Sequence, residues 1–275
     1  MTTQQDKAQL FQSLHTAEPV LVLANAWDVA SARVVEAAGA PAVATTSAGV
    51  AWGLGYPDGD AVDVDQAIGL IARVAAAVGV PVTADIEGGY ATDATGVGRT
   101  VARVLEAGAV GVNLEDAHHG GDSPLLPIAE AAERIAAARA AADAAGIALY
   151  INARTDTYLR SVGEPADRLQ ATFDRAGAYL QAGASGIFVP GVTEQATVAK
   201  LAEGIDGPLN ILVGPGAPSV SELGRLGVAR VSAGSSVAAA AYAVARAAAI
   251  EMATTGGYDT LAGELDYGTL NGLFR

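Results

Sequence analysis

Eight short runs, predominantly apolar and not alternating, recur along the chain between longer segments of helical periodicity. They are Val20–Trp27, Ala42–Ala48, Val82–Glu87, Gly111–Asp116, Leu149–Asp156, Gly186–Gly191, Leu209–Gly214 and Arg230–Gly234. A strand that faces apolar neighbours on both sides has no reason to alternate, so such runs predict parallel strands covered by helices. The segments between them, Asp28–Ala38, Val64–Val78, Thr95–Ala107, Pro127–Ala145, Ala166–Ala182, Glu194–Glu203 and Ser219–Leu226, read as helices, most of them closed by a glycine. Eight αβ units with right-handed crossovers close into a (β/α)8 TIM-type barrel, an α/β fold. An open doubly wound sheet is the alternative; polar residues at the ends of runs two, three, four and five alike, rather than at one switch point, favour the barrel. A helix over Asp6–His15 precedes the first strand, and Val237–Thr254 forms a long Ala-rich helix after the last. No linker divides the chain, so residues 1–275 read as one domain. The 237–275 extension ends in a tail too apolar for solvent (Tyr258, Leu261, Leu265, Tyr267, Leu270, Leu273, Phe274), to be packed on its own subunit or on a neighbour.

Composition removes several function classes. A net charge of −14 with no basic patch argues against nucleic acid and against an anionic membrane. The absence of cysteine removes disulfides, thiolate metal sites and thiol catalysis. The only lysines, Lys7 and Lys200, lie in helical patterns, which argues against a Schiff-base aldolase. The N-terminus lacks the apolar stretch of a signal peptide, and no apolar run reaches membrane-spanning length without charges or turn residues; a cytoplasmic location is the expectation.

The charges are concentrated where three runs end: Thr83-Ala-Asp85-Ile-Glu87, Asn113-Leu-Glu115-Asp116 and Asn152-Ala-Arg154-Thr-Asp156. Ionised groups beside a core need a compensating metal, partner or ligand. Asp85 and Glu87, two apart on a strand, would leave the same face, with Glu115 at a similar level on the next. Three carboxylates without His or Cys suit an oxygen-loving Mg2+ or Mn2+ ion that keeps several waters, unless they are rim charges paired with arginines. Arg154 would bind a carboxylate or phosphate, or form a structural salt bridge with Asp156 or Glu115. After the second run, small residues at Ser47-Ala48-Gly49 would let backbone N–H groups approach an anionic oxygen, although turn chemistry accounts for them equally. Asp58 would join the outer shell of the metal or cap the following helix. Gly214-Pro-Gly216 and Gly234-Ser-Ser236 occupy the usual phosphate-binding end of a barrel, where turns also place glycine.

Taken together, Asn25-Ala-Trp-Asp28, Thr46-Ser-Ala-Gly49, Asp58-Gly-Asp60, Asp85-Ile-Glu-Gly-Gly-Tyr90, Asn113-Leu-Glu-Asp116 and Asn152-Ala-Arg-Thr-Asp156 resemble the isocitrate lyase/phosphoenolpyruvate mutase superfamily from about residue 20 to Gly234. The resemblance implies a Mg2+-dependent barrel for small 2-oxo acids or their enolates. It also implies homodimers or homotetramers, often exchanging a C-terminal helix. By it Asp85 is the direct metal ligand, Asp58, Glu87 and Glu115 hold metal-bound waters, and the Ser47-Ala48-Gly49 backbone with Arg154 holds the substrate. The chain departs from the pattern after run four. Lyases there carry a Lys-Lys-Cys-Gly-His loop and mutases a lysine-containing gating loop; this chain has His118-His-Gly-Gly-Asp-Ser-Pro124. A histidine of the pair His118 and His119, with His118 as the candidate, would shuttle a proton, or both are ordinary loop histidines. The expectation is a Mg2+-dependent lyase or decarboxylase of a small 2-oxo or 2-hydroxy dicarboxylate. The alternatives are a phosphonomutase, a C–C hydrolase or a noncatalytic 2-oxo acid-binding member.

Overall fold

A computed structural model describes residues 2–263 and 265–275; Glu264 of the tail lies outside the described residues, as does Met1. The strands are β1 (Leu21–Leu23), β2 (Asn25–Ala26), β3 (Val43–Thr45), β4 (Val82–Asp85), β5 (Gly111–Glu115), β6 (Tyr150–Arg154), β7 (Gly186–Val189), β8 (Leu209–Leu212) and β9 (Arg230–Ser232). The helices are α1 (Gln4–Ser13), α2 (Val29–Ala37), α3 (Ser47–Leu54), α4 (Val64–Ala77), α5 (Ala94–Glu106), α6 (Ile128–Ala145), α7 (Arg168–Gln181), α8 (Gln195–Gly204), α9 (Val220–Arg225), α10 (Ser236–Thr254) and α11 (Tyr267–Gly272). Every strand pair is parallel, in the order β1-β9-β8-β7-β6-β5-β4-β3-β2. Nine strands make eight barrel positions because the first run is broken at Ala24: β1 pairs with β9, and β2 with β3. The fold is a nearly closed (β/α)8 barrel.

Asn25 ties the seam where the ladder changes partner. Its Nδ2 donates to the Thr45 carbonyl at 2.9 Å and its Oδ1 accepts from the Gly234 N–H at 2.9 Å. Asp28, the other polar residue of that motif, caps α2 by accepting from the Ser31 N–H. The opposite end of the barrel is plugged by α1. Phe11 is fully buried there, and His15 stacks on Tyr150 with ring centroids 3.6 Å apart.

Two sequence expectations are corrected. The second strand stops at Thr45, and Ser47–Leu54 is a helix rather than a strand end and loop. Small side chains let that helix pack closely: a Cβ on Gly49 would stand 2.8 Å from Trp27 Cβ and 3.2 Å from Ala238 Cβ. The third strand stops at Asp85, and Glu87 takes a left-handed backbone with φ of 51°, so period-two alternation does not carry Glu87 onto the face of Asp85.

The α10 helix is long and apolar enough, by length and composition, to span a membrane, although it contains Arg246 and Glu251. Only Ala238 and Ala248 of it are buried; Tyr242, Val244, Ile250 and Met252 are exposed.

Candidate active site

The C-terminal ends of the strands surround a cavity of about 210 Å3. Asp85 ends β4 within it. Its backbone N–H donates to Thr45 Oγ1 and its Oδ2 accepts from the Ser47 N–H at 3.0 Å. Among the described residues its Oδ1 is buried without a hydrogen-bond partner. Burial pushes the carboxyl above its ordinary pKa, opposed by the nearby Arg154 charge. A buried carboxylate oxygen left unmatched is what a cation ligand looks like before the cation is considered. Asp58 lines the same cavity, so the donor set fits a divalent ion held by Asp85 with water for most of its shell.

Among the described residues no three His, Cys, Asp or Glu side chains converge closely enough to hold a metal directly. Glu87 is buried and locks a loop instead. It accepts from the N–H groups of Gly59 and Asp60 and, at 3.3 Å, from the Tyr90 hydroxyl. Asp60 Oδ1 reciprocates by accepting from the Gly88 N–H at 3.3 Å. Burial pushes Glu87 up to about 7. The pair clamps the loop that carries Asp58 against the turn after β4.

Glu115 ends β5 with both oxygens engaged. Oε2 meets Arg154 Nη1 at 2.7 Å and Oε1 meets His119 Nε2 at 3.0 Å. Arg154, its register partner on β6, donates Nε and Nη2 to the two oxygens of Asp156 at 2.6 and 2.9 Å. Asp156 also accepts from Arg160 Nε at 3.3 Å, and Arg160 Nη2 lies 3.4 Å from His119 Nδ1. Five side chains thus form a closed ring. Arg154 is the member of it that lines the cavity: it forms the structural salt bridges that one reading gave it, and it also faces the cavity. Guanidinium has five N–H donors, and the three bonds above leave one free on each terminal nitrogen.

Ser47 and Ala48 form the first turn of α3 and line the cavity; Gly49 packs behind them against Trp27 and Ala238. Thr46 provides no side-chain cap and the Ser47 N–H is taken by Asp85, so this helix start offers the Ala48 amide and the positive end of its dipole to an anion. Gly234, Ser235 and Ser236 also line the cavity, whereas Gly214–Gly216 do not. Leu159, Phe188, Pro190 and Leu212 supply its apolar wall.

His118 stands elsewhere. With His119, Asp60 and Tyr90 it borders a separate cavity of about 580 Å3, and its Nδ1 is buried without a partner. The histidine that reaches the acidic cluster is His119, held above its ordinary pKa by its hydrogen bond to Glu115. Nothing in two adjacent histidines distinguishes them before the turn between Ala117 and Leu125 is formed. The Asp156–Arg160 pair did carry a signal, the four-residue spacing of a single helical turn.

A family model described as phosphoenolpyruvate phosphomutase matches residues 11–253. An uncharacterised protein of Mycobacterium tuberculosis is 38% identical over 240 residues, covering 86% of this chain and 87% of that one. The 2-methylisocitrate lyase of Escherichia coli is 31% identical over 204 residues, covering 72% and 67%. A crystal structure from Burkholderia cenocepacia, provisionally described as a lyase/mutase, superposes with a TM-score of 0.92 at 37% identity, covering 98% and 97%. Strand ends that place Asp85, Asn113 and Arg154 around one cavity, and a match across most of the chain, agree: the chain belongs to the phosphoenolpyruvate phosphomutase family, within the isocitrate lyase/phosphoenolpyruvate mutase superfamily.

Proposed function

We propose that the chain is a divalent-metal-dependent lyase or decarboxylase acting on a small 2-oxo or 2-hydroxy dicarboxylate through an enolate, with oxaloacetate-like compounds as first substrates. One juxtaposition carries this reading: the unmatched Asp85 Oδ1 shares a small cavity with the Ala48 amide of α3 and the two free N–H groups of Arg154. A cation ligand and two anion-binding elements in about 210 Å3 suit a small acid that chelates a metal while its charged oxygens are held by donors. Asp85 would hold Mg2+ or Mn2+ directly, with Asp58 beside it, while Glu87 braces the loop that carries Asp58 and Glu115 braces Arg154. The bound ion supplies Lewis-acid charge that stabilises a developing oxyanion. The Ser47–Ala48 turn and Arg154 orient the carboxylate and oxo oxygens and meet the charge as it grows. The apolar wall keeps water from the reacting carbon.

Among the described residues lining the cavity there is no His, Lys or Cys. Decarboxylation suits such a site, because loss of CO2 from a 2-oxo dicarboxylate leaves the electron pair on the enolate with no base required to start. The test is Mg2+-dependent release of CO2 and pyruvate from oxaloacetate, compared with Asp85→Ala to subtract the metal's own catalysis. Turnover undiminished by Asp85→Ala refutes the reading. Oxalate plus acetate as products would indicate a C–C hydrolase, phosphonopyruvate rearrangement followed by phosphorus NMR a phosphonomutase, and tight oxalate binding without turnover a noncatalytic member.

The same reading includes a homodimer or homotetramer assembled through α10 and the tail, supported by the exposed Tyr242, Val244, Ile250, Met252 and Phe274. Val244→Glu with Ile250→Glu should convert the assembly to monomers in sedimentation; a wild-type chain that sediments as a monomer contradicts it.

A further inference from the structure

Barrels of this kind fill their interior with layers of branched apolar side chains. This one places Thr83, Asn113, Asn152, Asn210 and Arg230 there, all buried. Arg230 is the most unusual of them. It is fully buried at the start of β9, and among the described residues no carboxylate lies within ion-pair distance of it. Its Nε donates to Ser232 Oγ at 3.1 Å and its Nη2 to Asn113 Oδ1 at 3.4 Å, while Nη1 has no partner. Burial draws its pKa down only to about 10, so it stays charged at neutral pH.

Asn113 and Ser232, the two residues Arg230 touches, both line the cavity. Asn113 sits beside Asp85 in the β4–β5 register. Its Oδ1 also accepts from Asn152 Nδ2 at 2.7 Å. A guanidinium has no acceptor, so the atom of Asn113 that faces Arg230 must be the carbonyl oxygen. The amide is therefore turned with its oxygen down into the barrel, and Nδ2, which donates to nothing else among the described residues, is left for the cavity. In that orientation Asn113 has no oxygen to offer a metal ion. It has an N–H2 group to offer an oxygen bound beside one.

We propose that Asn113 is a ligand-binding residue of the cavity floor, donating from Nδ2 to an anionic oxygen of the bound 2-oxo acid, and that the buried Arg230 is the positioning residue that fixes this orientation. The assignment rests on the functional reading above and deepens it. A neutral donor rigidly aimed beside Asp85 selects ligands that present a carboxylate or enolate oxygen there and disfavours those presenting a hydrogen-bond donor. The Arg230 charge beneath the floor adds a field of the same sign.

Calorimetric titration of oxalate in Mg2+ tests both parts. Asn113→Ala should weaken oxalate about tenfold to a hundredfold, the range for losing a hydrogen bond to a charged group. Arg230→Met should weaken it about tenfold in the wild-type background but leave Asn113→Ala unchanged, since the two residues act through one contact. Arg230→Lys, which still only donates, should recover affinity to within about threefold of wild type; Arg230→Gln, which can also accept, should not. The apolar Arg230→Met removes an unpaired buried charge and should keep the melting temperature; if it fails to fold, Arg230→Lys and Arg230→Gln decide. Asn113→Ala binding oxalate within twofold of wild type overturns the donor assignment. Equal loss from Arg230→Met in both backgrounds, accompanied by a lower melting temperature, overturns positioning in favour of a purely structural role. A wild-type chain that takes up no oxalate refutes the functional reading and this assignment with it, an outcome distinct from either of the others.

Discussion

Replacing Arg154 by Lys tests the site most sharply, because it keeps the charge and removes the geometry. Arg154 bridges two carboxylates at once, binding Asp156 through Nε and Nη2 and Glu115 through Nη1 at 2.6, 2.9 and 2.7 Å. A lysine ammonium is a single point and cannot span both acids while facing the cavity. At least one of the three charge-assisted bonds is lost without replacement, at about 1.5–3 kcal/mol. For a chain of this size that is a fall of roughly 3–12 °C in melting temperature. The ligand loses the two free guanidinium N–H groups, a further ~1.5–3 kcal/mol, or about tenfold to a hundredfold in oxalate affinity. Differential scanning fluorimetry and calorimetric titration of oxalate with Mg2+ measure the two effects separately. Oxalate affinity within twofold of wild type would show that Arg154 serves its carboxylate neighbours alone.

Other perturbations separate fold from function. Phe11→Ala opens the plugged base of the barrel; it should cost about 3–5 kcal/mol in urea unfolding while leaving oxalate affinity unchanged in the protein that remains folded. Gly49→Ala forces a Cβ to within 2.8 Å of Trp27 and should lower both stability, by about 1–3 kcal/mol, and oxalate affinity, as the first turn of α3 shifts. His15 supplies a pH dependence remote from the cavity. Burial, then the nearby Arg230 charge, lower its pKa to about 3, whereas the unfolded chain takes up the proton near 6.5. Its contribution to stability is therefore present above pH 6.5 and lost as the pH falls from there toward 3, by at most about 5 kcal/mol. His15→Phe, which retains an aromatic stack on Tyr150, should shift the acid-unfolding midpoint downward; an unchanged midpoint would place acid sensitivity elsewhere.

The barrel was legible because parallel strands covered on both sides are written as predominantly apolar runs, and each of the eight runs holds a strand, the first of them two. The acidic strand ends were legible for the complementary reason, that charges beside a core need compensation. What was hidden depended on local backbone and on packing at a distance. Val43-Ala-Thr-Thr-Ser reads as a strand to its end, yet α3 begins at Ser47 because Gly49 fits between Trp27 and Ala238. Strand alternation carried past Asp85 assigned Glu87 to the same face; the signal against it was Gly88-Gly89, which announced the turn. His118 and His119 could not be told apart from spacing. Arg230 opens its run as a rim charge would, and only the closed barrel reveals it as a cation buried beneath the cavity floor.

The central claim is that Asp85 organises a metal-dependent site for a small 2-oxo acid, and oxalate titration of wild type and Asp85→Ala, each with Mg2+ and with EDTA, tests it directly. Oxalate binding that is strong only for wild type with Mg2+, at least a hundredfold weaker in the other three conditions, is the predicted result. Binding of equal strength in Asp85→Ala, or in wild type with EDTA, would contradict the account.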